Sequence, residues 1–488
     1  MKANKALQNK AENANNSPSA SIGLRSFITV ISILSALLFI SGFLSYVIPQ
    51  GHFLRDESGT ILPESFSQGE VDGIAIWRIL TAPIRVFASE DAVTIIMISV
   101  FLLIMSGVFH LIEQTGGTKV VIGRLMHRLA NKGAPVVCLC VLIFMLFGSF
   151  FGMFEELVTL LPLIILFMLS MGMDTMTGLG ACLLAACFGF SAAITNPFSV
   201  GLAAEVAGVS IQNGMWLRIV FFGIIYLTLC VFLMMHLRSI EKNPMLSPTY
   251  ESDLARRQTA KMPEESELRT PENEKIFKVF GVFFAAQGLI LILIASIRAI
   301  SGYAIPILAA SFLFGGIAAG LIVSDRKRDP FIFIMRGAAS MLPAIAMIAI
   351  ASSIKLVMTE SGTMDTIMYH LIRLLDGKSR FVTILLVYLL ILILQIFIGS
   401  SSAKIMLVMP IIVPICASVG VSPSMVILAY CMADGFTDVI MPTNPILLVG
   451  LSMANVSYSK WFKWTWKLQV FVLALTVLIL LFATGIRY

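Results

Sequence analysis

Glu155 and Glu156, Lys404, and the pair Asp434 and Asp438 all lie deep between apolar runs, away from any hydrophilic loop. A charge in hydrocarbon is costly unless it is paired or faces a watery cavity, so each is a functional candidate by default. Short interrupted stretches surround them. Phe147-Gly148-Ser149-Phe150-Phe151-Gly152-Met153-Phe154-Glu155-Glu156 reads as a break or hairpin tip between two apolar runs, and Ile398-Gly399-Ser400-Ser401-Ser402-Ala403-Lys404 is its partner. Thr195-Asn196-Pro197 and Thr443-Asn444-Pro445 form a second pair, in which Pro removes an N–H and disfavours helix at the residue before it. At such breaks free N–H groups suit anions and free C=O groups suit cations. Asn and Thr side chains can add ligands for a cation or for a substrate's carboxylate or amine. A single break of this kind reads equally well as a packing kink. Two matched pairs argue instead for binding by Gly148, Ser149, Glu155, Glu156, Thr195, Asn196, Ser400, Ser401, Ser402, Lys404, Asp434, Asp438, Thr443 and Asn444.

The frame behind these pairs is a duplication. Pro162 and Pro410 lie 248 residues apart, as do Asn196 and Asn444. Gly189-Phe190-Ser191 mirrors Gly435-Phe436-Thr437, and Gly116-Gly117-Thr118 mirrors Ser361-Gly362-Thr363. Several matches at nearly one offset are the signature of a repeat. The same frame sets Glu156 against Lys404, each six residues before its proline. If the two tips meet, these residues could form an ion pair that is either a binding device or a structural bridge between hairpins. Alternatively, Lys404 stands where a related carrier binds a metal cation, which would favour sodium-independent exchange or proton coupling.

The elements that must position these residues are membrane helices. The chain has 488 residues, of which 58% are hydrophobic and 13% charged, with a mean hydropathy of +0.92. A soluble domain needs roughly twice that charged fraction. Apolar runs near 27–48, 92–112, 134–153, 157–172, 178–194 and 215–236 precede a second set near 277–297, 303–323, 339–358, 381–398, 405–419, 424–433 and 465–485. Several are long enough to cross a bilayer, and the short ones, bounded by Gly, Ser, Asn and Pro, mark half-spans. Four segments follow: a polar cytoplasmic N-terminus 1–26, a first transmembrane half 27–236, a charged cytoplasmic linker 237–276 expected to be flexible, and a second half 277–488. Lys119, Arg124, Arg128 and Lys132 follow one helix, whereas Arg326, Lys327, Arg328 and Arg336 precede its partner. With basic loops inside, the two copies run in opposite directions, although Arg373, Lys378 and Arg380 fall in a loop placed outside. The fold expected is an all-α, polytopic membrane protein of two inverted repeats with re-entrant hairpins and broken helices.

Other classes lack their signatures. The chain carries no H-E-x-x-H, G-x-S-x-G or Walker A motif and no Cys/His cluster, so neither an enzyme nor a nucleotide-driven pump is indicated. A net charge of +6 held in short loops is an orientation signal rather than a nucleic-acid footprint. The seven cysteines lie in apolar runs and read as packing residues, and the five histidines, near helix ends, as interfacial or loop residues. Glu205, Arg218 and Arg298 are expected to snorkel to an interface. Trp461, Trp464 and Trp466 with their lysines read as an interfacial belt, and 74–87 as an interfacial amphipathic helix. Lys355 is a weak candidate for function.

Several motifs together resemble the YfcC-type, C4-dicarboxylate-carrier-like family. They are Tyr46-Val47-Ile48-Pro49-Gln50-Gly51-His52-Phe53, Ala82-Pro83-Ile84-Arg85, Phe151-Gly152-Met153-Phe154-Glu155-Glu156, Asn196-Pro197-Phe198, and Asp434-Gly435-Phe436-Thr437-Asp438 with Pro442-Thr443. The resemblance spans all but the N-terminus and the linker. It implies the elevator-type fold of the ion-transporter superfamily, often dimeric, in an inner membrane. It also implies symport or antiport of amino acids or small organic acids. The first tip, Asn196, residues 399–404 and residues 434–444 would then line the substrate and ion sites. Ser402-Ala403-Lys404 and Asn444-Pro445 depart from the family pattern within that presumed site. Mixed charge there suits a zwitterionic or cationic amino acid, so the expectation is an amino-acid exchanger without a resident cofactor, coupled if at all to Na+ or H+. The alternatives are a dicarboxylate carrier, a channel and a membrane-embedded enzyme.

Overall fold

The computed structural model describes residues 24–54, 65–117, 120–121, 124, 133–158, 160–259, 268–296, 303–323, 330–375, 377–486 and 488. Residues 1–23, Lys119, Arg128, Lys132, Arg298, Arg326, Lys327 and Arg328 lie outside them, so the expectations placed on those residues do too. The described chain is helical except for one antiparallel ladder of two residues a side, β1 (Gly51–His52) against β2 (Ser67–Gln68).

The first half begins with α1 (Leu24–Leu44), α2 (Ile76–Arg85), α3 (Ala92–Gln114) and α4 (Gly133–Leu146), the last extended by a π turn at Phe147–Phe151. α5 (Leu161–Ser170), α6 (175–191, with a π bulge at Gly180–Leu184), α7 (197–206) and α8 (Met215–Lys242) complete it. A linker helix, α9 (Tyr250–Thr259), follows. The second half holds α10 (Pro271–Ser296), α11 (Ala304–Val323), α12 (Pro330–Ala339), α13 (Leu342–Glu360) and α14 (Thr363–Arg373). It ends with α15 (Arg380–Gln395), α16 (Ser401–Ser418), α17 (Pro423–Asp438), α18 (Pro445–Ala454) and α19 (Tyr458–Gly485). Six described helices are long and apolar enough to cross a membrane, and α13 with α14 forms one further candidate span, bent by 74°. Shorter apolar helices (α5, α6, α7, α15 and α18) fill the interrupted positions.

The 248-residue offset carries from motif to element. Shifted by it, α7 coincides with α18 at both ends, and α6 and α17 agree to within a residue. Positions related by the same offset also touch. Cys187 Sγ–H donates to the Gly435 carbonyl at 3.2 Å, and the Phe188 and Phe436 rings meet edge to face with centroids 5.1 Å apart.

Several surface expectations are overturned. The segment 237–276 was expected to be a flexible tether, but α9 is docked. Asp253 accepts from Thr175 N at 2.9 Å and Thr249 Oγ1 at 2.6 Å, while Arg256 donates to the Ala454 carbonyl at 2.8 Å. Charged composition signals polarity but not that those polar groups satisfy the ends of other helices. Trp461 is fully buried and donates to the Val439 carbonyl at 2.6 Å, so only Trp466 among the three is an exposed ring. Arg218 does not snorkel; it is buried and caps the carbonyls of Ile211 and Asn213. His110 is buried rather than interfacial, and His236 is part-buried with its ring bonded to Asp174. α12 was missed, its apolar run being short and ended by Arg336. It lies against α3, where Ser106 Oγ donates to the Gly337 carbonyl at 2.8 Å. α2 does present Trp77, Leu80 and Ile84 outward, and Arg85 ties it to Glu360.

His236 belongs to a polar latch at the start of α6. Trp464 Nε1 donates to His236 Nδ1 at 3.1 Å, which leaves Nε2–H to donate to Asp174 Oδ2 at 2.9 Å. Ser247 Oγ adds a bond to Asp174 at 2.6 Å from the linker, and Asp174 caps α6 by accepting from Thr177 N. Burial pushes the Asp174 carboxyl up. The hydrogen bond from His236, with those from the hydroxyls of Ser247 and Thr177, outweighs it and holds the group below its ordinary range. A depressed carboxyl stabilises fully above its unfolded pKa of about 3.9 and loses that contribution as pH falls through the folded value. Asp174→Asn should cost about 1–3 kcal/mol at neutral pH. The difference in melting temperature from wild type, read by thermal shift in detergent, should shrink as pH falls below about 4.

Candidate functional site

α6 stops at Ser191, and the first tip takes up its frayed end. The Ser149 carbonyl accepts from the N–H groups of Ile194, Thr195 and Asn196 at 3.1, 3.2 and 3.0 Å. Its hydroxyl donates to the Ala192 carbonyl at 2.7 Å. Such contact demands close backbones: a Cβ on Gly148 would lie 2.3 Å from the Ala186 carbonyl oxygen. Pro197 lacks an N–H and opens α7, so Asn196 supplies the cap, its Oδ1 accepting from Phe198 N at 2.9 Å. Gly152 ends the tip in the left-handed region at φ +69°, and a Cβ there would meet Asn196 Oδ1 at 2.2 Å. Thr195 Oγ1 donates to the Phe150 carbonyl at 3.2 Å. The structure thus brings together Gly148, Ser149, Thr195 and Asn196.

The second half repeats the scheme. Asn444 caps α18, its Oδ1 accepting from Ile446 N and Leu447 N at 2.9 and 3.2 Å. Ser400 caps α16, accepting from Ala403 N at 3.4 Å. Tyr430 donates to the Ser401 carbonyl at 2.7 Å, and Ser402 Oγ reaches across to the Phe198 carbonyl at 3.4 Å, joining the two halves at their tips.

Charge is gathered on the second half. Lys404, in the first turn of α16, is fully buried and forms an ion pair with Asp434 of α17, itself 1% exposed. Among the described residues the carboxylate that meets Lys404 is Asp434; the expected partner, Glu156, has its side chain outside them. Glu155 stands half-buried in a short helical turn, Glu155–Val158, and the Glu156 side chain lies outside the described residues. Asp438, one turn beyond Asp434, accepts from Gln395 Nε2, and Asn444 lies against its carboxylate. Gln395 was not anticipated, although a lone amide closing the otherwise apolar run of α15 just before a tip is a readable signal. Thr443 Oγ1, Gln395 Oε1 and Asp434 Oδ2 are buried without a hydrogen-bond partner among the described residues. Lys355, the weak candidate, pairs instead with Asp91 at 2.6 Å.

The described site therefore consists of two capped breaks, matched between the halves, and one buried, charged cluster on α16 and α17. The profile of the family described as C4-dicarboxylate anaerobic carrier (DcuC) matches residues 24–485. The chain belongs to this family. It is a multi-pass membrane transporter of the DcuC/YfcC type, with a small-molecule substrate. Among its relatives, YfcC of Escherichia coli K12, provisionally named a basic amino acid antiporter, is 27% identical over 389 residues, covering 76% of this chain and 74% of that protein. A protein of Haemophilus influenzae Rd is 27% identical over 380 residues, covering 77% and 72%. The crystal structure of the Alcanivorax borkumensis YdaH transporter aligns over 95% of this chain and 98% of its own, with a TM-score of 0.44 and 16% identity.

Removing one partner of a buried pair strands the other charge. Lys404→Met or Asp434→Asn alone should lower stability by about 3–5 kcal/mol, whereas Lys404→Met with Asp434→Leu should recover most of it. Melting of the purified variants checks this, and additive losses would rule out direct pairing. Gly152→Ala meets both a strained φ and the Asn196 cap, so it should cost about 1–2 kcal/mol. It should also lower transport per folded molecule in proteoliposomes, because the tip can no longer close on α7.

Proposed function

We propose that this carrier exchanges basic amino acids across the cell's inner membrane. The observation that carries the reading is charge. In the described cluster two buried carboxylates, Asp434 and Asp438, face one buried ammonium, Lys404. The surplus negative charge favours a cationic or zwitterionic solute over a dianion. The Thr-Asn-Pro breaks would present backbone dipoles to its carboxylate and amine. The provisional name of the Escherichia coli relative supports the same class. Lys404 supplies a built-in cation and so favours sodium-independent transport. The reciprocal contacts at Cys187–Gly435 and Phe188–Phe436 support an inverted two-fold relation between the halves, from which inward- and outward-open states would arise by an elevator movement. A homodimer with a cytoplasmic N-terminus completes the proposal. Carriage of C4-dicarboxylates, coupled to sodium or protons, is the second reading. The family description and the presence of a buried lysine favour it.

Uptake of labelled arginine, ornithine, fumarate and succinate into proteoliposomes preloaded with each unlabelled solute separates the two. Exchange predicts saturable arginine or ornithine entry stimulated several-fold by either amino acid inside, with no sodium requirement. Sodium-driven entry of fumarate or succinate would replace it with the second reading. Non-saturating flux without trans-stimulation would make the protein a channel. Lys404→Gln should create a sodium dependence that the wild type lacks, and unchanged ion dependence would remove Lys404 as the surrogate cation.

A further inference from the structure

The Lys404–Asp434 pair balances its own charge, which leaves Asp438 to be accounted for. Asp438 is buried on α17. The charged groups near it are Asp434 on its own helix and Lys404 from α16. Tyr430 on the same helix and Cys187 from α6 are the other titratable groups within its field. From α19, Tyr458 spends its hydroxyl on the Ile440 carbonyl. Direct bonding falls to neutral amides, Gln395 from α15 and Asn444 from the break before α18.

Gln395 supplies the decisive geometry. It is fully buried, its Nε2 donates to Asp438 Oδ1, and its Oε1 has no partner among the described residues. A primary amide and a carboxyl group complete a two-bond ring only when the carboxyl carries its proton. The amide N–H then donates to one carboxyl oxygen, and the carboxyl O–H donates to the amide carbonyl. Half of that ring is in place. A single proton on Asp438 Oδ2 would supply the other half, satisfy the orphaned Oε1 and remove a net charge from hydrocarbon. Turning the amide over changes nothing, since its carbonyl would then face Oδ1 and require a proton there. A metal ion fits less well, because one carboxylate oxygen already faces an N–H donor rather than the ion.

We infer that Asp438 binds the transporter's coupling proton and that Gln395 is the positioning residue that recognises the protonated form. The inference rests on the exchange reading and names its coupling ion. When a cationic solute enters the cluster, Asp438 releases its proton and becomes the carboxylate that compensates the solute's charge. When the solute leaves, the carboxylate takes a proton back. One positive charge replaces another at each step, so the cluster keeps its net charge.

Infrared difference spectroscopy of the purified transporter in lipid, stepped in pH without any solute, tests the proton site directly. The expected result is a carboxylic-acid C=O band that titrates, is lost in Asp438→Asn, and remains in Gln395→Leu but shifts to higher frequency as the amide bonds disappear. The band's absence in the wild type, or its persistence unchanged in Asp438→Asn, overturns the assignment. Should Asp438→Asn fail to fold, an unshifted band in Gln395→Leu overturns it independently. A pH-sensitive dye in wild-type proteoliposomes completes the test, with arginine addition expected to release protons. Arginine binding to the purified transporter with no proton release, alongside intact counterflow, would leave the exchange reading standing and sink the proton site. A titrating band lost in Asp438→Asn, without counterflow of any amino acid, would leave the proton site and remove the exchange reading.

Discussion

A helix can stop inside hydrocarbon only where something other than water takes up its orphaned N–H and C=O groups. That requirement governs both halves of this protein. α6 breaks because the Ser149 carbonyl collects three of the freed amides and Asn196 a fourth. α18 can begin because Asn444 caps two more. The small residues of the tips serve the same end, since a side chain on Gly148 would hold the tip away from the backbone it satisfies. Irregular backbone among apolar helices is tolerable here only because these caps satisfy it.

The charges depend in turn on that arrangement. Lys404 occupies the first turn of a helix whose start is set by the Ser400 cap, and Asp434 reaches it from the buried α17. A lysine here cannot find water, so its partner must be built in. The pairing therefore sets how α16 meets α17 rather than adding to the apolar contacts around it.

Much of this was legible in the sequence because duplication writes a pattern twice. The Thr-Asn-Pro pair, the offset of 248 and the apolar runs located most of the helices, though not the polar first turns of α10 and α19, and α7 and α18 agree fully under that shift. What failed was whatever depends on a partner distant in sequence. The lysine's carboxylate could not be chosen by repeat arithmetic, because Glu156 matches Lys404 by symmetry while Asp434 meets it in space. Polar composition suggested a loose linker because it does not record that Asp253 and Arg256 satisfy the ends of other helices. The tryptophans misled for a related reason: Trp461 and Trp464 find their acceptors in Val439 and His236, so their N–H groups need no interface.

The symmetry that makes the fold readable is also what the chemistry has abandoned. At the repeat offset, Thr443 and Asn444 answer to Thr195 and Asn196, so the caps are duplicated. Gln395, Asp434 and Asp438 answer to Phe147, Ala186 and Phe190, which can hold neither charge nor a hydrogen-bonded proton through their side chains. The breaks therefore belong to both halves, whereas the carboxylates of Asp434 and Asp438 and the Gln395 amide belong to one. Caps answer a demand of the backbone, so they recur wherever the chain breaks. Buried carboxylates answer no such demand, so one copy of the repeat could acquire Asp434 and Asp438 without the other.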